Sequence, residues 1–186
     1  QNIADASIHI SDTTNVSLAE MKAKCKKLKK KQGLSLVIVD YLQLMSNKDK
    51  NQSREQEISS ISRGLKLMAL ELDIPVIVLS QLNRGVELRK PPIPMMSDLR
   101  ESGAIEQDTD IILFLYRPIV YDKSAIATDA ELYIAKHRNG ASGMNVQLHF
   151  TNSITKFKDY SLEEGFSGRI SFSSVSIVLT GRLSGL

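Results

Sequence analysis

Apolar positions fall into a helical stripe between Leu18 and Leu28, a continuous run at 36–39, a second helical stripe between Ile58 and Leu72, and further runs at 76–79 and 111–116. Steps of three and four separate Leu18, Met21, Cys25 and Leu28, so a helix gathers them on one face and leaves the lysines on the other. Ser17 stands before this stripe with Glu20 three residues on, the spacing of a capping box, and Gln32-Gly33 supplies the stop. The second stripe, Ile58, Ile61, Leu65, Met68 and Leu72, opens in the same way at Ser53 with Gln56. Leu36-Val37-Ile38-Val39 and Val76-Ile77-Val78-Leu79 are unbroken and largely β-branched, which predicts strands buried on both faces, as in a parallel sheet. Strand, helix and strand in that order make a βαβ unit with a right-handed crossover.

The short alternating segment Ser7–Ser11 predicts a further strand. Residues 83–97 hold three of the five prolines and predict a long loop. A short helix within 97–108 precedes the buried run Ile111–Tyr116. Glu131–Lys136 and Asn145–Phe150 alternate and are joined by Asn139-Gly140-Ala141-Ser142-Gly143, which predicts a hairpin. Beyond Tyr160 the character changes: seven serines, no acid after Glu164, and an apolar patch at 175–179. Residues 161–186 therefore read as a tail apart from a domain at 1–160; a disordered end, a non-native end and a strand that docks elsewhere all remain open. The chain begins with Gln1, and we read it as part of something longer.

Composition narrows the classes. With 186 residues and 42% apolar content the chain has the material for one domain's core. No run of about 18 apolar residues and no apolar leader segment occurs, which argues against a membrane span or signal peptide. The single Cys25 excludes a disulfide framework and a Cys-rich metal site, and fits a reducing cytosol. The net charge of +3 is local in origin: seven lysines lie between Lys22 and Lys31, and the remaining 17 bases face 21 acids. A polyanion would have to be held by a few placed residues rather than a general basic surface.

The candidate chemistry sits at strand ends. Ligands of open α/β sheets bind beyond the carboxyl ends of the strands, where Asp40 projects. Such an aspartate can hold the water shell of a Mg²⁺ bridging nucleotide phosphates, or can simply cap the next turn. Gln81 ends the neighbouring strand, and its neutral amide suits sensing a γ-phosphate or orienting a water; alone it also suits a surface position. Lys136 and Arg138 flank His137, and alternation puts the two cations on one face. They can reach a neighbouring subunit's phosphate as an arginine finger or belong to a solvated turn. The phosphate cradle GxxxxGK[ST] occurs nowhere in the chain.

Four stretches, GLSLVIVDYLQLM at 33–45, VIVLSQLNRGVE at 76–87, SDLRESGAIEQDTDIILFLYR at 97–117 and AKHRNGASG at 135–143, together resemble the C-terminal motor of the bacterial replicative DNA helicases of the DnaB type. The resemblance covers roughly residues 5 to 160. It implies an α/β, RecA-like P-loop NTPase fold, here partial: a mostly parallel central sheet flanked by helices, with a β-hairpin near the C-terminal end. It also implies a homohexameric ring that binds ATP and Mg²⁺ between subunits, moves on single-stranded DNA in the cytoplasm at replication forks, and works with a primase and a helicase loader. Within that family pattern Asp40 matches the Walker B aspartate, which holds Mg²⁺ through water, and Gln81 the γ-phosphate-sensing glutamine. Lys136 and Arg138 match the pair that enters the adjacent subunit's site. Arg100, Glu101 and Gly103 match a DNA-holding loop of the central channel, and 46–53 falls where a second channel loop lies. The family's P-loop and catalytic glutamate have no counterpart in this sequence, since Glu20 sits in a helix cap; the chain alone is expected to be inactive. The alternatives are a recombination or repair ATPase of the RecA/RadA class and a non-catalytic ring protein of the same fold.

Overall fold

In the computed structural model the described residues are 6–13, 16–46, 52–99, 102–160 and 176–181. Among them, three helices pack on a seven-stranded sheet. The helices are α1 (Leu18–Gln32), α2 (Arg54–Leu72) and α3 (Ser102–Asp108). The strands are β1 (Val37–Val39), β2 (Val76–Ser80), β3 (Ile111–Tyr116), β4 (Asp129–His137), β5 (Met144–Thr151), β6 (Lys156–Asp159) and β7 (Ser176–Gly181). Their spatial order is β1-β2-β7-β3-β4-β5-β6. β1, β2, β7 and β3 run parallel, while β3 to β6 form an antiparallel meander.

Both helix caps form as the sequence predicts. The Ser17 side chain accepts from the Glu20 N–H while Glu20 reaches back to the Ser17 N–H, and Ser53 and Gln56 repeat the exchange at α2. Gly33 ends α1 at φ 81°, a conformation that glycine adopts without a Cβ penalty. The α2 stripe Ile58, Ile61, Leu65, Met68 and Leu72 is buried against Val39, Val76, Val78, Ile112 and Phe114 of the sheet. Each such side chain contributes about 1.5–3 kcal/mol on leaving water. α1 lies across α2, where Leu18 comes so close to Gly64 that a Cβ there would overlap its Cδ2. Lys22 and Lys26 both pair with Glu71, and Lys29 donates to the Leu72 carbonyl, so part of the lysine run is occupied in holding the two helices together.

Three expectations are corrected. Residues 7–11 form no strand: among the described residues no strand pairs with them, and Ile8 and Ile10 are exposed. The 36–39 strand is not buried on both faces, because β1 lies at the sheet's edge with Ile38 61% exposed. Its outward row finds no covering helix among the described residues, so Val39 is buried in the core and Val37 packs against it while Ile38 stays open. The 83–97 loop contains short 3-10 turns at Arg84–Leu88 and Met96–Asp98, fastened by a two-pronged bond from Arg89 to Asp98 at 2.9 and 2.7 Å. β6 has no forerunner in the sequence reading. Of residues 161–186, Ser176–Gly181 are described, and they form β7 inside the sheet. No helix among the described residues is long and apolar enough to cross a membrane.

Two outcomes test this arrangement. Val178 pairs with Val78 on one side and Ile112 on the other, so Val178→Pro removes a central donor and leaves a buried carbonyl unsatisfied, on the order of 1–3 kcal/mol before any clash. We expect the chain's Tm to fall by roughly 5 °C or more; an unchanged melting curve would mean that β7 does not hold the sheet. Hydrogen bonds from Arg89 hold the Asp98 carboxyl below its ordinary range, with burial opposing. A depressed carboxyl stabilises the fold fully above its unfolded pKa and loses that contribution as pH falls through the folded one. Asp98→Asn should therefore lower Tm at neutral pH and flatten its decline below the ordinary carboxylate range, as followed by thermal melts in acid.

Candidate functional site

Asp40 follows β1 directly and is exposed at the carboxyl edge of the parallel strands. Gln81 follows β2 and is exposed at the same edge. The register pairs Val39 with Val78, so Gln81 stands two rows beyond Asp40 on the adjacent strand. The strand ends are tied by Gln43, which the sequence reading did not single out. Its Nε2 donates to the Ser80 hydroxyl at 3.1 Å, and its Oε1 accepts the Gln81 backbone N–H at 3.2 Å. Arg54 of α2 in turn donates to the Gln43 carbonyl at 2.7 Å and the Met45 carbonyl at 3.3 Å. The Asp40–Gln81 edge is thus fixed by side chains to the first turn of α2. Arg117, just past β3 at the same end of the sheet, places its Cζ over the Phe150 ring, 3.7 Å from the centroid, and burial lowers its pKa.

Lys136 and Arg138 are elsewhere. β4 runs antiparallel to β3 with His137 opposite Ile111, which places Arg138 beyond the amino end of β3. From β1 to β4 there are four strand spacings, roughly 19 Å across the sheet, with about 10 Å more along the strands. The structure therefore brings Asp40 and Gln81 together and keeps Lys136 and Arg138 apart from them. What aims the two cations is a bulge: the register shifts between Ile112 and Leu113, so Ile134 pairs with Leu113 and Lys136 with Ile112. Ala135 is the extra residue, and from there the chain turns its side chains to the helix-bearing face. Lys136 donates to the carbonyls of Glu106 and Thr109, and Arg138 to that of Gln107 at 3.3 Å. Burial first, and then the Arg138 charge, lowers the Lys136 pKa.

Gly103 lies exposed in the first turn of α3 with open space around its Cα. Arg100 and Glu101 lie outside the described residues, as do positions 47–51 of the segment compared with a second channel loop. The described residues contain no group of three or more His, Cys, Asp or Glu side chains placed to hold a metal. Asp40 fits Mg²⁺ as a lone edge carboxylate, since that ion usually takes one or two carboxylates and completes its shell with water and phosphate.

Comparison with known proteins agrees with this architecture. Replicative DNA helicase DnaB of Leifsonia xyli is 49% identical over 158 residues, 84% of this chain and 34% of the relative. The DnaB of Geobacillus stearothermophilus is 48% identical over 158 residues, 84% of this chain and 35% of the relative. The chain thus spans about a third of the length of these relatives. A solved structure described as a DnaB-like replicative helicase and its interactions with primase superposes with a TM-score of 0.81 at 46% identity, over 86% of this chain and 38% of that one. A second solved structure, described as an ATPase domain, gives 0.80 at 46% identity, over 86% of this chain and 57% of that one. The fold is the RecA-like one of these ATPase domains. Residues 1–159 match the DnaB-like helicase C-terminal domain, and the chain belongs to that family.

Proposed function

We propose that this chain is part of the ATP-driven motor of a hexameric replicative DNA helicase, which moves along single-stranded DNA and unwinds duplex at the fork. Residues 1–160 supply the motor from the Walker B strand onward, and β7 completes their sheet. The observation that carries the reading is the division of the candidate site between two ends of one sheet. Asp40 and Gln81 share the carboxyl edge, while Lys136 and Arg138 stand roughly 20 Å away or more. A single subunit does not close such a site; adjacent subunits in a ring do.

In this reading ATP binds between subunits with Mg²⁺, which draws charge off the phosphates. Asp40 orients the ion's water shell. Gln81, its backbone set by Gln43, presents an amide to the γ-phosphate or the attacking water, a role that avoids the desolvation cost of a charge. Lys136 and Arg138 of the neighbouring subunit stabilise the charge that develops as the phosphoryl group leaves. Arg100, Glu101 and Gly103 hold the DNA backbone at the head of α3. A primase and a loader are the expected partners, and the bacterial cytoplasm the place of work.

The 186-residue chain alone should show no DNA-stimulated ATP turnover, because its sequence carries no phosphate cradle; turnover in the usual enzyme range of about 1–10³ per second would defeat this. In an assembled ring of the longer protein, Asp40→Ala should abolish hydrolysis without dispersing the ring, as read by turnover and native mass. Gln81→Ala should leave hydrolysis uncoupled from movement on DNA, as read by parallel ATPase and unwinding assays. Mixing Arg138→Ala subunits with subunits lacking a working phosphate loop should restore part of the ATPase, since some interfaces then hold both intact halves. Absence of recovery at every ratio, with mixed rings verified by mass, would return Arg138 to a solvated turn.

A further inference from the structure

The junction between α3 and β3 gathers more polar contacts than its few residues need. Asp110, the last residue before β3, is only 7% exposed. One carboxylate oxygen takes the Lys66 ammonium from α2, and the other lies 3.2 Å from Nη1 of Arg138. The Asp110 carbonyl also accepts the Arg138 backbone N–H at 2.8 Å. Arg138 thus meets Asp110 through both main chain and side chain, while about half of its own side chain stays open to solvent.

We propose that Asp110 is the positioning residue for Arg138, holding the guanidinium at the base of the hairpin so that its outer side is presented to a nucleotide phosphate of the adjacent subunit. The proposal rests on the finger reading given above. An ion pair with one half-exposed partner adds little to stability. Its effect lies in restricting a long side chain that otherwise samples many rotamers, so that the guanidinium is already in place where charge develops as the phosphoryl group is transferred. Lys66 makes this workable: without a second cation, a carboxylate beside the finger would offset the charge that the phosphate needs. Lys66 shares that charge from the far side, and Lys136 lies close by on the Glu106 and Thr109 carbonyls, with the Glu106 and Asp108 charges facing it from α3. Asp110 is separated from α3 by Thr109 alone. Arg138 also donates to the Gln107 carbonyl at 3.3 Å and is thereby fastened to that short helix.

The test uses the assembled ring of the longer protein. Asp110→Asn should lower kcat by about 10- to 100-fold with KM for ATP within roughly twofold, because the lost group acts on the transition state rather than on nucleotide binding. Arg138→Ala combined with Asp110→Asn should be no slower than Arg138→Ala alone, since the two residues act as one unit. Asp110→Asn subunits mixed with phosphate-loop-dead subunits should regain turnover, as Arg138→Ala subunits do. Normal kcat in Asp110→Asn, or losses that multiply in the double variant, would overturn the proposal while leaving the finger intact. Normal kcat in Arg138→Ala would instead remove the finger reading and this proposal with it. If Asp110→Asn does not fold, Asp110→Glu keeps the charge and displaces the carboxylate by one methylene; it must still reduce kcat at constant KM, and a normal value overturns the proposal.

Discussion

The arrangement depends on one strand having two neighbours. β7 pairs in parallel with β2 through five residues and with β3 through five, and among the described residues no other strand pairing joins the β1-β2 unit to the β3–β6 meander. Every backbone N–H and C=O in such a strand is directed at one side or the other, so an empty slot would strand two rows of polar groups inside the molecule. The slot therefore has to be filled, and here Ser176–Gly181 fill it. The family match ends at residue 159. The strand that unites the sheet thus comes from a part of the chain that the family resemblance does not cover.

Coverage of the sheet is one-sided among the described residues. α1, α2 and α3 bury the row containing Val39, Val76, Val78, Ile112 and Phe114. The opposite row gathers a smaller cluster of Ile111, Leu113 and Ile134, with Ile77, Leu132, Met144 and Val146 against it. At the β1 edge this second face is open, and Leu36 and Ile38 are 41% and 61% exposed. A continuous apolar run records that a strand was suited to burial on both faces, but burial requires a partner on each side. The described residues supply one.

The sheet also separates the chemistry. Carboxyl ends of parallel strands collect Asp40 and Gln81, whereas the reversal of direction at β4 carries Lys136 and Arg138 to the amino end of β3. A sheet that is parallel up to β3 and antiparallel beyond it thereby separates the Asp40 carboxylate from the two cations. In the proposed ring, closure by identical subunits would put the two halves together. Gln43 and Asp110 have parallel duties at the two ends: each ties a strand end to α2, through Arg54 in one case and Lys66 in the other. α2 is thus a common support for both half-sites, and its buried stripe is the longest of the described helices.

The sequence by itself determined the elements whose signals are local. Ser17 with Glu20, Ser53 with Gln56, the stop at Gly33, the α2 stripe, the β2 and β3 runs and the 139–143 turn all rest on spacings within a few residues, and each appears where the pattern puts it. The placement of Asp40 and Gln81 on one edge followed from the same βαβ logic, because neighbouring parallel strands must end at the same side. Tertiary structure alone decided what depends on a partner distant in sequence. Ser7–Ser11 alternates but found no strand to pair with among the described residues, and Ile38 was apolar without cover. The apolar patch near 175–179 carried no sign that it would enter the middle of the sheet, since strand order is set by long-range pairing. Nor did alternation reveal which face Lys136 and Arg138 would take: the bulge at Ala135 turns both toward α3. A one-residue change of register reverses every side chain beyond it, and only the partner strand fixes that register.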